Sequence, residues 1–317
     1  MRLRVALPAI LFVLCLPHAG RAQSAPTLHV ETHLVTITFS ARDEAGRLAT
    51  GLTRDDFSVY EDGVPQKISL FSRESEVPLT LGLIVDASSS QDKFLKQHLR
   101  DIDTFLAGIL RPQDHVFAVC FGNHLRLVSD TTSDRAQIGT GLDRFEKARN
   151  NYDAFSELEP DDTREGGSAV YDAIFASVTE KLASSAGRRK ALILFTDGEE
   201  NASAHDEIET IAAAQEADTL VYAIRYTQIK HNRLSADNRH GITSLRHIAE
   251  QTGGRDFDAL HIDMPEAFAQ IGDELRSLYS VSYYSTNNKL DNSFRKVTID
   301  PHSPQITVRA RLGYYAR

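Results

Sequence analysis

The sequence predicts an α/β protein: a doubly wound domain with a mostly parallel central sheet, inserted in a small β-sandwich formed by both chain ends. Three observations carry this. Four short apolar runs, "LTLGLIV", "HVFAVCF", "ALILFTD" and "LVYAIRY", alternate with helical stretches between residues 78 and 280, the pattern of parallel strands joined by crossover helices. Residues 23–77 instead have period two, as a half-buried antiparallel strand does. The same alternation returns at 281–317.

Taken in order, the chain begins with a basic "MRLR", an apolar "VALPAILFVLCL" and the small residues of "GRA". These are the parts of a secretory signal peptide over residues 1–22, with cleavage expected after Ala22. Its apolar run is shorter than the roughly 20 residues that span a bilayer, and the expectation is export to the periplasm or beyond, without a stable membrane anchor. Removing 1–22 takes away three arginines and no acidic residue, moving the formal net charge from −9 to −12. Such acidity disfavours nucleic acid and anionic lipid as partners. Cys120 is then the single cysteine left; it cannot form an internal disulfide, and its apolar neighbours mark it as a core thiol rather than a nucleophile.

In the N-terminal β segment, Val35, Ile37, Phe39 and Ala41 share one strand face, and "FSVYEDGVPQKISLF" reads as a hairpin turning at Asp62-Gly63. About 50 residues of β structure are too few to be comfortable alone. At the other end, "YSVSYYS", "SFRKVTID" and "QITVRARLGYY" read as strands, with Ile306, Val308, Ala310 and Leu312 on one face. Pairing the two ends covers both apolar faces and closes their edges. Between them "DKFLKQHLRDIDTFLAGI", "AVYDAIFASVTEKLAS", "HDEIETIAAAQEA" and "EAFAQIGDELRSLYS" read as helices.

Chemistry concentrates in three segments. "LGLIVDASSS" is a buried-type strand that ends in Asp86 and then presents Ser88 and Ser90; "LILFTDGEEN" is a second such strand ending in Asp197; "EGGSAVYDAIF" sets Ser168 at a turn before a helix. Open α/β sheets bind ligands at the carboxyl edge of their strands. If the Asp86 and Asp197 strands are neighbours, their ends converge there. Carboxylates, hydroxyls and water make an all-oxygen set suited to Mg²⁺, with Mn²⁺ and Ca²⁺ as alternatives, and the absence of His and Cys argues against zinc. The blander reading of "DASSS" is a loop whose Asp or Ser caps the next helix, and Glu199 and Glu200 read as solvated. A phosphohydrolase with an aspartyl nucleophile needs a second acid two residues on, where this chain has Ser88. A serine hydrolase needs a glycine-flanked nucleophile elbow, which "DASSS" lacks.

At these residues the sequence resembles the von Willebrand factor A (VWA) domain and its metal-ion-dependent adhesion site. Asp86, Ser88 and Ser90 match the family's Asp-x-Ser-x-Ser, Asp197 in "FTDG" matches its later Asp, and Ser168 stands where the family usually has Thr. The flanking "ATGLTRDDFSVYEDGVPQKISLFSRE" and "RKVTIDPHSPQITVRARLGYYAR" look like the VWFA-related exported proteins of Acidobacteria. The resemblance implies a Rossmann-like VWA domain and a non-enzymatic module of adhesion type. It implies a divalent cation with Ser88 and Ser90 as direct ligands, Ser168 ligating directly or through water, and Asp86 and Asp197 mostly acting through water. A partner protein's Asp or Glu would fill the open position. The alternative role is a scaffold in which the metal only stabilises the domain. The polar stretches 150–165 and 227–241 read either as variable surface loops or as the rim that selects a partner.

Overall fold

The computed structural model describes residues 33–75, 77–122, 124–148, 155–158, 167–227 and 233–317. The expected signal peptide lies outside the described residues, as do most of 150–165 and the middle of 227–241.

The central sheet is built from β5 (Leu79–Asp86), β6 (His115–Phe121), β7 (Arg126–Thr132), β8 (Ser156–Glu157), β9 (Arg189–Thr196), β10 (Thr219–Arg225) and β11 (Asp256–Asp258). Their order is β11-β10-β9-β5-β6-β7-β8, with the first five parallel and β7 and β8 antiparallel at one edge. Every residue of β5 is buried, as expected of a strand covered on both faces. Alternate residues supply the two covers. Leu81, Leu83 and Val85 face α1 (Leu95–Ile109), α2 (Arg135–Lys147) and α6 (Met264–Arg276). Ile84, Leu192 and Leu194 face α3 (Val170–Ala176), α4 (Glu207–Glu216) and α5 (Ala236–Thr252). A π-helical turn, Ser177–Leu182, prolongs α3.

Two further four-stranded sheets come from the chain ends. One is ordered β14-β1-β12-β4, from Thr307–Ala310, Leu34–Arg42, Leu278–Tyr284 and Ile68–Glu74; the other is β15-β13-β2-β3, from Gly313–Tyr315, Phe294–Pro301, Phe57–Glu61 and Val64–Gln66. Strand β1 pairs with β12 and β14, and β2 pairs with β13, so each sheet mixes both ends of the chain. Between the sheets lie Val35, Ile37, Phe39, Ala41, Val59, Tyr279, Val281 and Ile299; the first four are the face read from the sequence, whereas Leu312, read with Ile306, Val308 and Ala310, is exposed. The hairpin turn sits at Asp62 (φ 49°) and Gly63 (φ 79°), the left-handed pair a two-residue hairpin requires. Deep in this sandwich Glu61, 2% exposed, accepts from the hydroxyls of Tyr283, Ser285 and Tyr314.

Three helices depart from the sequence reading: α2 and α5 were not read as helices, and the last helix is shorter than read. Helix α5 starts at Ala236, capped by Ser235 Oγ accepting from Asn238 N at 2.9 Å, so the second half of the expected 227–241 loop is helical. The helix expected over 266–280 ends at Arg276, because Leu278–Tyr284 pairs as β12 with β1 and β4.

The sandwich meets the central sheet at the amino ends of its strands. Arg189, the first residue of β9, pairs with Glu74 at 2.8 Å, and Arg311 lies 3.6 Å from Asp218, just before β10. This leaves the carboxyl edge of the parallel strands to the loops that follow β5, β9 and β10.

Candidate metal centre

Strands β5 and β9 are parallel neighbours, with Val85 opposite Phe195. Asp86 therefore comes level with Thr196, and the Thr196 hydroxyl donates to Asp86 Oδ2 at 2.5 Å. The other carboxylate oxygen, Oδ1, accepts from Ser88 N at 2.9 Å. On the neighbouring strand end, Asp197 Oδ1 accepts from Glu199 N at 3.1 Å. Its Oδ2 accepts from Ser90 Oγ at 2.9 Å and from Gln91 Nε2 at 2.7 Å. Ser88 Oγ and Ser90 Oγ are 3.2 Å apart. Four of the five expected residues are thus joined in one hydrogen-bonded cluster.

Ser168 enters through a separate tie. Its N–H donates to Asn201 Oδ1 at 2.9 Å, and Asn201 N donates back to Ser168 O at 3.1 Å. That reciprocal pair holds the residue against the loop that follows Asp197. The Ser168 hydroxyl is buried and has no hydrogen-bond partner among the described residues. The approach is close: a Cβ on Gly167 would come 2.6 Å from Asn201 Oδ1 and 2.7 Å from Ala202 Cβ.

Both carboxylates are fully buried. Burial, then the neighbouring Asp197 charge, push the Asp86 carboxyl up to about 7, against the downward pull of its Ser88 and Thr196 donors. Two facing acids in a low-dielectric site favour a cation between or near them. The donor chemistry fits a hard divalent ion: hydroxyl and carboxylate oxygens, one hydroxyl unpartnered, and no nitrogen or sulfur ligand. Among the described residues no group of three or more His, Cys, Asp or Glu could hold a metal, so any ion here depends on the serines.

Several residues of the site escaped the sequence reading. Thr196 bridges Asp86 and the backbone, accepting from Gly198 N at 3.0 Å. Gln91 links Asp197 to the Tyr226 carbonyl, at 3.3 Å. Glu200 is not a solvated residue: its carboxylate accepts from Tyr171 N, Ala202 N, Ser203 N and Ser203 Oγ. Glu199 is also engaged, accepting from Asn238 Nδ2 at 2.7 Å. Gly198 and Gly241 let α5 cross directly over the Asp197 loop. A Cβ on Gly241 would lie 2.6 Å from Gly198 O and 2.8 Å from Asp197 O. Glycine in "FTDG" was visible as a turn; its partner in α5 carried no such signal.

Cys120 is fully buried, as a core thiol should be. His240, His247 and His261 are exposed, and His124 is half-buried. His98, in α1, is different: it is fully buried, neither ring nitrogen has a partner among the described residues, and burial pushes its pKa down to about 3. Among the described residues no helix is long and apolar enough to cross a membrane.

No protein-family model matches the chain, and no curated protein matches it. Solved structures do. An aerotolerance-related membrane protein from Bacteroides fragilis, carrying multiple mutations to serines, is 18% identical over 62% of this chain and 98% of its own, with a TM-score of 0.45. Proximal thread matrix protein 1 from the mussel byssus, with a zinc-occupied MIDAS motif, is 17% identical over 64% of this chain and 49% of its own (TM-score 0.44). The manganese-loaded TRAP protein of Plasmodium vivax is 14% identical over 76% and 96%, with a TM-score of 0.42.

Proposed function

We propose that this chain is an exported, non-enzymatic protein-binding module of VWA type. A divalent cation, Mg²⁺ or Mn²⁺ before Ca²⁺, is held by Ser88, Ser90 and Ser168 within reach of Asp86 and Asp197. The observation that carries this reading is the cluster itself. Two fully buried carboxylates and two hydroxyls interlock at the carboxyl edge, and the Ser168 hydroxyl, tied to the same loop, is buried with no partner among the described residues. The bound cation supplies a Lewis-acidic position for an oxygen ligand. The protein's own groups do the rest. Every carboxylate oxygen of Asp86 and Asp197 already accepts from a protein donor. That arrangement favours the two acids acting at a distance from the ion, which leaves it electrophilic toward an incoming Asp or Glu of a partner protein. Ser88, at the place where a phosphohydrolase needs its general acid, offers only a hydroxyl and a backbone N–H already given to Asp86, which favours binding over catalysis.

The scaffold alternative and the binding reading part at Ser168. Ser168→Ala removes one oxygen while leaving the interlocked carboxylates. If the ion serves capture, the substitution weakens Mg²⁺-dependent retention of an immobilised Asp- or Glu-bearing peptide far more than it lowers the melting temperature. A wild-type protein that melts many degrees higher with Mg²⁺ yet retains no acidic peptide in an EDTA-sensitive way is a scaffold.

A further inference from the structure

Gln91 follows directly on the Asp86-x-Ser88-x-Ser90 run and is fully buried. Its amide nitrogen meets two acceptors, Asp197 Oδ2 at 2.7 Å and the Tyr226 carbonyl at 3.3 Å. Neither partner can donate, so the nitrogen must face them and the amide orientation is fixed by chemistry. One side chain therefore connects the loop after β5 with Asp197 at the end of β9 and with Tyr226 just past β10. Its other end makes no matching bond: Gln91 Oε1 is buried with no hydrogen-bond partner among the described residues. A buried orphan acceptor opposes folding. An apolar side chain of similar length would remove that orphan and in turn take the Gln91 donor from the Tyr226 carbonyl; these costs offset one another, so stability alone does not account for an amide here.

What the amide does is hold Asp197. Without it, Asp197 Oδ2 would keep one donor, the Ser90 hydroxyl, and that hydroxyl is itself one of the oxygens expected to face the ion. On the reading that these residues hold a divalent cation, we infer that Gln91 is a positioning residue of the site. It fixes the rotamer of Asp197 through a donor that does not ligate, and so keeps Oδ2 in place to accept the Ser90 proton while the lone pairs of Ser90 Oγ face the ion. Outer groups of this kind set metal affinity by orientation. The sequence gives no hint of this role, because a Gln at the first turn after a strand reads as a surface residue.

The test is Mn²⁺ titration by calorimetry, well below the melting temperature, for the wild-type chain and for Gln91→Met, which keeps the length and removes both donors. A metal-free melting curve in EDTA accompanies each. The expected result is an affinity for Mn²⁺ lowered about tenfold or more in Gln91→Met, with a metal-free melting temperature close to that of the wild type. An affinity within about threefold of the wild type, or a loss of metal-free stability with affinity unchanged, overturns the inference. A wild-type chain that does not bind Mn²⁺ instead overturns the metal-site reading on which it rests. Should Gln91→Met fail to fold, Gln91→Asn serves with the same outcomes, since it keeps the amide but is one methylene too short to reach Asp197.

Discussion

Thr196→Val is the sharpest perturbation of how the fully buried Asp86 is held. Valine matches threonine in shape and suits a strand, so no cavity opens and no backbone preference is lost. What changes is polar. The Thr196 hydroxyl donates to Asp86 Oδ2 at 2.5 Å and accepts from the buried Gly198 N at 3.0 Å. With the Asp86 carboxyl at about 7, the hydrogen bond it accepts contributes about 0.5–1.5 kcal/mol when protonated and about 1.5–3 kcal/mol when charged, and a buried N–H left without a partner costs about 1–3 kcal/mol. Allowing for some relaxation of the Gly198 loop, the expected loss is about 2–4 kcal/mol. For a chain of this size that is a fall in melting temperature of about 5–15 °C. Urea unfolding in EDTA separates this from any metal effect, and Thr196→Ser, which keeps the hydroxyl, should stay much closer to the wild type. If Thr196→Val unfolds within about 0.5 kcal/mol of the wild type, then Thr196 does not support Asp86 as described.

Two other outcomes are expected. His98 is kept neutral by burial, with its pKa lowered from 6.5 to about 3, so the unfolded chain takes up a proton that the folded chain refuses. Stability should therefore fall as pH drops below 6.5 toward 3, by about 3 kcal/mol between pH 7 and 4.5 from this group. His98→Leu should remove that component, and urea unfolding at both pH values with an unchanged difference would count against it. In the sandwich, Phe39 is 1% exposed, its ring centroid 5.0 Å from Phe57 and 5.5 Å from Tyr279. Phe39→Ala should cost about 3–5 kcal/mol, and hydrogen exchange should show β1 and β12 losing protection together; protection retained in both would contradict the shared core.

The elements that could be read from the sequence are those whose pattern is local. Continuous apolar runs marked β5, β6, β9 and β10, and strict alternation marked the buried face of β1, because burial on two faces or one writes itself into consecutive residues. The Asp-Gly turn did the same for the hairpin at residues 62 and 63. Asp86 and Asp197 were legible as strand-end acids. Their partners were not. Thr196 meets Asp86 only because β5 and β9 pair in one particular register, and Gln91 meets Asp197 only because the loop after β5 folds over the end of β9. Glu200 looked like any acidic residue in a polar loop until the loop bent back, aiming the N–H groups of Ala202 and Ser203 at its carboxylate and bringing it to Tyr171 N of α3. Helix α5 was not read as a helix: its first turns, 236–240, are polar, and its apolar contacts, Leu245, Ile248 and Ala249, come later. The crossing of Gly198 and Gly241 depends on two segments more than 40 residues apart, which no local pattern encodes.

The central claim is that one divalent ion sits among Ser88, Ser90 and Ser168. Anomalous diffraction from crystals grown with Mn²⁺ tests it most directly. The account predicts a single strong peak about 2.0–2.6 Å from the hydroxyl oxygens of Ser88 and Ser90, with Ser168 at that distance or one water away and Asp86 and Asp197 reached through water. A peak elsewhere, or none at saturating Mn²⁺, would contradict it.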